Sequence, residues 1–190
     1  MSRFIHTLAA AAIAAGLFTA PAQATWPPPG QGLVLVPPAH YAQPPFKRGK
    51  IVAFASDAAP GSIVIITKQN ALYYVLGNGR AVKFKVATAR KGFEWSGTHQ
   101  VSFKTAWPGW RPPEQMRRRH PELPAFMKGG PDNPLGARAI YLGSSIYRIH
   151  GTNEPESIGK SASSGCIRMR NEDVKELYRH VRLGAVVMVI

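Results

Sequence analysis

The sequence predicts a mainly β domain with one or two short helices and a long proline- and glycine-rich loop. Three observations carry that prediction. Runs rich in β-branched and aromatic residues recur between residues 63 and 87 and are divided by Gly77-Asn78-Gly79. Only the segment after Asn171 shows sustained helical spacing of its apolar residues. Trp107 to Pro134 holds ten prolines and glycines, too many for much regular structure.

From the start of the chain, Met1 to Ala24 has a basic end with Arg3, an apolar stretch from Leu8 to Ala20, and Ala22-Gln23-Ala24. That layout predicts a signal peptide cut after Ala24. The apolar stretch falls well short of the roughly 20 residues that span a bilayer, which argues against an uncleaved anchor. With no second long apolar segment, no transmembrane segment is expected in the mature chain. Residues 25–50 carry Pro27-Pro28-Pro29, Pro37-Pro38 and Pro44-Pro45. Proline fixes φ and removes backbone donors, so this stretch reads as an extended tether. The chain that remains after the cut is long enough for one domain with a single buried core.

Ile63 to Ile66, Leu72 to Leu76 and Ala81 to Ala87 read as a β-meander, with Asn-Gly chemistry at the second turn. In the long loop, Glu114 to Arg119 has the makings of a short helical turn, and a loop of this length is usually a lid or binding wall. Trp107 and Trp110 are candidates for a groove wall, or for packing the loop onto the sheet. Ala139 to His150 returns to strand character and leaves His150 at a strand end. Asn171 suits an N-cap, with Glu172 and Asp173 in the first turn where they favour the helix dipole. Val174, Leu177, Tyr178 and Val181 form one apolar face, Gly184 is expected to end the helix, and Ala185 to Ile190 reads as a buried closing strand. Tyr73, Tyr74 and Tyr147 are assigned to the sheet.

The formal net charge is +14. Such a balance favours polyanions, and in an exported protein it points to an anionic envelope rather than to nucleic acid. Zinc-finger spacing and RNA-binding aromatic signatures are both missing.

The chemistry centres on Cys166, the only cysteine, within Ser163-Ser164-Gly165-Cys166-Ile167-Arg168. In an exported protein an odd cysteine is an intermolecular bridge or a reactive thiol. A thiol is only a few per cent ionised at pH 7, so a nucleophilic role needs a base. His150, in His150-Gly151-Thr152-Asn153, is the candidate. Gly165 permits a tight turn before the thiol, and backbone N–H groups around Cys166 are expected to face a developing oxyanion. This predicts acyl transfer through a thioester. His150, Cys166 and His180 lack the ligand spacing of a metal site, so neither metal nor cofactor is expected.

The stretch HGTNEPESIGKSASSGCIRMRNEDVKELY, His150 to Tyr178, closely resembles the active-site signature of the L,D-transpeptidase family, the YkuD-type catalytic domain. Glu94-Trp95-Ser96-Gly97-Thr98 and Pro134-Leu135-Gly136 also look like this family, and the resemblance extends over 51–190. It implies a YkuD-like β-sandwich or barrel-like fold. It also implies a nucleophilic role for Cys166, with His150 as base, and supporting roles for Ser163, Ser164, Gly165, Arg168, Gly151 and Thr152. Many family members have histidine where this chain has Ser164, so a loop histidine is not the base here. Arg168 is expected to bind a substrate carboxylate or to anchor the loop.

The activity implied is peptidoglycan cross-linking. Cys166 attacks the third residue of a tetrapeptide stem, releases D-alanine and passes the acyl group to an amine. Water, a free D-amino acid or a protein amine as acceptor would make the same site a carboxypeptidase, an exchange enzyme or an anchoring enzyme. A non-enzymatic alternative is a peptidoglycan-binding module. The implied partners are peptidoglycan stem peptides, with anionic envelope polymers or an envelope protein acceptor. The implied location is the periplasm, and carbapenems are expected to acylate Cys166.

Overall fold

In a computed structural model that describes residues 44–190, the chain runs β1 (Lys50–Ala53), β2 (Ile63–Ile66), β3 (Ala71–Gly77), β4 (Arg80–Lys85), β5 (Thr88–Ala89), β6 (Gly97–Ala106), α1 (Glu114–Arg119), β7 (Arg138–Leu142), β8 (Arg148–His150), β9 (Ser161–Ser163), β10 (Ile167–Arg168), α2 (Asn171–His180) and β11 (Val186–Val189). The signal peptide read at 1–24 and the tether up to residue 43 lie outside the described residues.

Nine strands form one mixed sheet in the order β1-β4-β3-β2-β11-β6-β7-β8-β10, and β5 pairs separately with β9. The expected meander is present as β2-β3-β4. Asn78 and Gly79 both have positive φ, 52° and 66°, the pairing that a two-residue type I′ hairpin turn requires. β6 joins the two halves of the sheet. Its first residues pair with β11, and its later ones, from Val101 on, pair with β7 across a bulge between Val101 and Phe103. Bulges bend sheets, and one core receives side chains from both halves: Ile63, Leu72 and Phe84 from the first, Ile140, Ile149 and Ile167 from the second. α2 closes this core with Val174 and Leu177. Burying side chains of this size contributes about 1.5–3 kcal/mol each. The unbroken apolar run of β2 is explained by a second small cluster on the sheet's other face, where Val64 meets Tyr73 and Val75.

The structure departs from the sequence reading in four places. Ala139 to His150 is a hairpin rather than one strand, because Gly143 (φ +57°) turns the chain and Ser145 N–H donates to Leu142 O. α2 ends at His180 and not at Gly184, which instead occupies a left-handed turn leading to β11. Asn171 makes no cap bond, because its side chain is used elsewhere. The last residues read as tether are packed on α2. Phe46 stacks on His180 with ring centroids 3.6 Å apart, and Lys47 N–H donates to Glu176 Oε1 at 2.9 Å.

Candidate active site

β8 and β10 run parallel in the register Ile167↔Ile149 and Arg168↔His150. Ile149 and Ile167 are fully buried in the core. Alternation along a strand therefore turns Arg148, His150 and Arg168 to the opposite face, with Cys166 immediately ahead of β10. Backbone bonds hold the ladder on both sides: Met169 N–H donates to His150 O, and Arg168 exchanges two bonds with Ala87. The two residues expected to react thus come from adjacent strands, His150 at the end of β8 and Cys166 just ahead of β10.

The loop before Cys166 is clamped by groups scattered through the sequence. Gly165 has φ +115°, a conformation that side chains rarely adopt, and a Cβ there would lie 2.6 Å from Tyr147 Cε1. The Gly165 carbonyl accepts the indole N–H of Trp95 at 2.7 Å, and Trp95 stacks on Tyr147. Gly165 N–H donates to the buried Ser163 Oγ at 3.1 Å, which removes this N–H from the groups available to an oxyanion. Ser164 is half-buried beside it. Tyr147, assigned from sequence only to the sheet, is part of the site's foundation.

His150 is buried, and its Nδ1 lies 2.5 Å from Gly151 O. A carbonyl oxygen only accepts, so the proton sits on Nδ1 and Nε2 keeps its lone pair. Burial, helped by the charges of Arg168 and Arg148, pulls the imidazole down to about 3. Burial pushes the Cys166 thiol up, opposed by the charge of Arg148, by the Arg148 backbone N–H bonded to the sulfur, and by Arg168. At neutral pH both groups are therefore uncharged.

The turn after His150 is fastened by Asn171. Its Oδ1 accepts Ala137 N–H at 2.9 Å and Thr152 N–H at 3.3 Å, while Nδ2 donates to Thr152 O at 2.9 Å. A Cβ on Gly151 or Gly136 would collide with Asn171 Oδ1, which gives both glycines a packing reason. Thr152, itself buried, accepts Glu154 N–H through Oγ1. Arg168 pairs with Glu154 at 2.7 Å. Of its two expected roles, this geometry matches loop anchoring.

Trp107 and Trp110 are fixed through their backbones, Trp107 N–H to Ala137 O and Trp110 in a two-way exchange with Met127. His180 lies away from this face, with its nitrogens 2.9 Å from Glu176 O and 2.8 Å from Pro44 O. A broad cleft of about 550 Å³ lies elsewhere, lined by Lys50, Lys83 and Lys85 among others, and no residue of the β8–β10 ladder borders it.

Residues 60–189 match the model of the YkuD L,D-transpeptidase catalytic domain. The probable L,D-transpeptidase ErfK/SrfK of Escherichia coli is 38% identical over 143 residues, covering 70% of this chain and 45% of that protein. The chain spans a little under half the length of the curated relatives it matches first. Among solved structures, the catalytic domain of the Enterococcus faecium L,D-transpeptidase superposes with a TM-score of 0.53 at 17% identity, covering 68% of this chain and 95% of that one. A Brucella melitensis protein described as a probable carnitine operon oxidoreductase superposes with a TM-score of 0.51 at 42% identity, covering 74% and 92%.

Proposed function

This chain belongs to the YkuD family of L,D-transpeptidase catalytic domains, and on that footing we propose that it is a cysteine acyltransferase that cross-links peptidoglycan stems. The observation that carries the proposal is the Nδ1–H bond from His150 to Gly151 O, which leaves the Nε2 lone pair free on the strand beside the one that Cys166 immediately precedes. Nε2 takes the thiol proton as Sγ bonds to the carbonyl carbon of the third stem residue. The tetrahedral intermediate collapses, the C–N bond breaks, and the proton passes from Nε2 to the departing amine of D-alanine. An acceptor amine then attacks the thioester and gives a proton to Nε2, and the restored thiol recovers it. Cys166 N–H is the oxyanion donor in this scheme, since Gly165 N–H is committed to Ser163. Arg168, Gly151 and Thr152 hold the two strands in place.

The oxidoreductase description of the Brucella protein is not carried over. The residues around Cys166 are a thiol, an imidazole base and hydrogen-bond donors, the parts that acyl transfer uses. The proposal places the domain in the periplasm, delivered by cleavage after Ala24, and makes Cys166 a target of carbapenems.

The test is incubation with disaccharide-tetrapeptide muropeptides, followed by mass spectrometry. The expected product is a dimer joined through third residues, with loss of D-alanine, and none with Cys166→Ala. Tripeptide without dimer would replace cross-linking by L,D-carboxypeptidase activity. Binding without any covalent adduct would reduce the domain to a peptidoglycan-binding module.

A further inference from the structure

Two arginines flank the nucleophile, and only one has an anionic partner. Arg168 is held by Glu154 at 2.7 Å. Among the described residues Arg148 forms no salt bridge, and its Nε is buried without a hydrogen-bond partner. Buried donors are nearly always satisfied, by protein, by water or by a ligand, so one without a protein partner beside Cys166 asks what fills that role. Arg148 precedes His150 by two residues on β8, and its backbone N–H bonds the Cys166 sulfur. Its guanidinium rests over Tyr141 at 5.3 Å from the ring centroid, and Tyr141 in turn pairs with the exposed Phe103 across β6 and β7. The face therefore offers an aromatic track that ends in an unpaired cation next to the thiol. A planar guanidinium with open N–H groups matches a carboxylate in two-pronged geometry.

We infer that Arg148 is a specificity residue that receives the free carboxylate of the departing terminal residue of the donor stem. The inference rests on the transpeptidase reading. In a tetrapeptide donor that carboxylate lies on the leaving residue, directly beyond the scissile amide, so a cation beside the nucleophile is placed to hold it. A site built to pair with the group discriminates against a substrate that lacks it, because the arginine is then left unpaired.

The experiment compares kcat/KM for D-alanine release from a tetrapeptide stem with that for D-alaninamide release from the same stem amidated at its C-terminus. Wild type, Arg148→Gln and Arg148→Lys are each measured on both. Wild type is expected to prefer the free acid by about 10- to 100-fold. Arg148→Gln should erase that preference, and Arg148→Lys should restore part of it. Taking the ratio of the two substrates cancels any effect of Arg148 on thiol reactivity or folding. An unchanged acid-to-amide ratio in Arg148→Gln overturns the inference while leaving the transpeptidase reading intact. A preference that tracks amidation of a side-chain carboxylate on the third residue instead overturns it in the same way. Wild-type protein that turns over neither substrate overturns both readings.

Discussion

Trp95 holds Gly165 from outside the signature that contains it. The indole N–H donates to the Gly165 carbonyl at 2.7 Å, and the ring lies 4° from parallel with Tyr147, 4.1 Å away. Tyr147 in turn occupies the space a side chain on Gly165 would need. Two residues distant in sequence thus fix the backbone immediately before Cys166, in a conformation that favours glycine.

Trp95→Phe keeps the stacking and removes the hydrogen bond. It is expected to cost about 1 kcal/mol of stability and to slow acylation of Cys166 by a carbapenem roughly fivefold, the same energy read as a rate. Gly165→Ala meets both the φ of +115° and the Tyr147 ring, so its acylation should fall much further. Stopped-flow acylation alongside urea unfolding separates the two effects. Equal acylation in Trp95→Phe and wild type would remove the clamp from the mechanism.

His150 makes stability depend on pH with a definite sign. Its imidazole is depressed from 6.5 to about 3 in the fold, chiefly by burial. Between those values the unfolded chain binds a proton that the folded chain refuses. The contribution is fully present above pH 6.5 and is lost as pH falls toward 3. From about pH 6.5 to 4.5, wild type should lose up to about 2–3 kcal/mol more than His150→Gln. Urea midpoints of both proteins across that range provide the check, and parallel curves would mean an exposed, ordinary histidine. Acylation should likewise keep its base well below pH 6.5.

Much of this was legible in the sequence because the signals were local. The Asn78-Gly79 turn, the β2–β4 meander and the 114–119 helical turn each depend on a few neighbouring residues. Cys166 and His150 stood out because their flanking residues form a contiguous signature. What escaped depends on distant partners. Tyr147 reads as a sheet residue until Trp95 is seen against it. Arg148 shows its open valence only once Arg168 is found paired with Glu154. Asn171 has the composition of an N-cap, but the N–H groups of Ala137 and Thr152 needed an acceptor more than the helix end did.

Asn171→Ala would strip the acceptor from two backbone N–H groups and the donor from Thr152 O. Unsatisfied groups of this kind cost about 1–3 kcal/mol each before relaxation, so a net loss of about 3 kcal/mol is expected. Asn171→Asp keeps the acceptor and should lose less. The loss should also appear in acylation, because the turn that carries Gly151 O sets the tautomer of His150. A stable Asn171→Ala protein with normal acylation would show that water replaces the clamp.

The start of the folded unit offers the last test, since the sequence reading placed it at residue 51. Phe46 sits between His180 at 3.6 Å and Tyr74 at 5.1 Å, measured between ring centroids. Lys47 N–H reaches the buried Glu176, and Arg48 pairs with Asp173 at 2.7 Å. A chain beginning at Ile51 would uncover Glu176 and His180, both 1% exposed, and strip one face from α2. α2 also carries Asn171, so the loosening is connected to the turn after His150. Against a chain beginning at Pro44, the shorter one should be less stable by about 3 kcal/mol, the scale of losing one well-packed aromatic side chain. Phe46→Ala in the longer chain should account for most of that difference. Equal urea midpoints for the two chains would mean that residues 44–50 are indeed only the end of a tether.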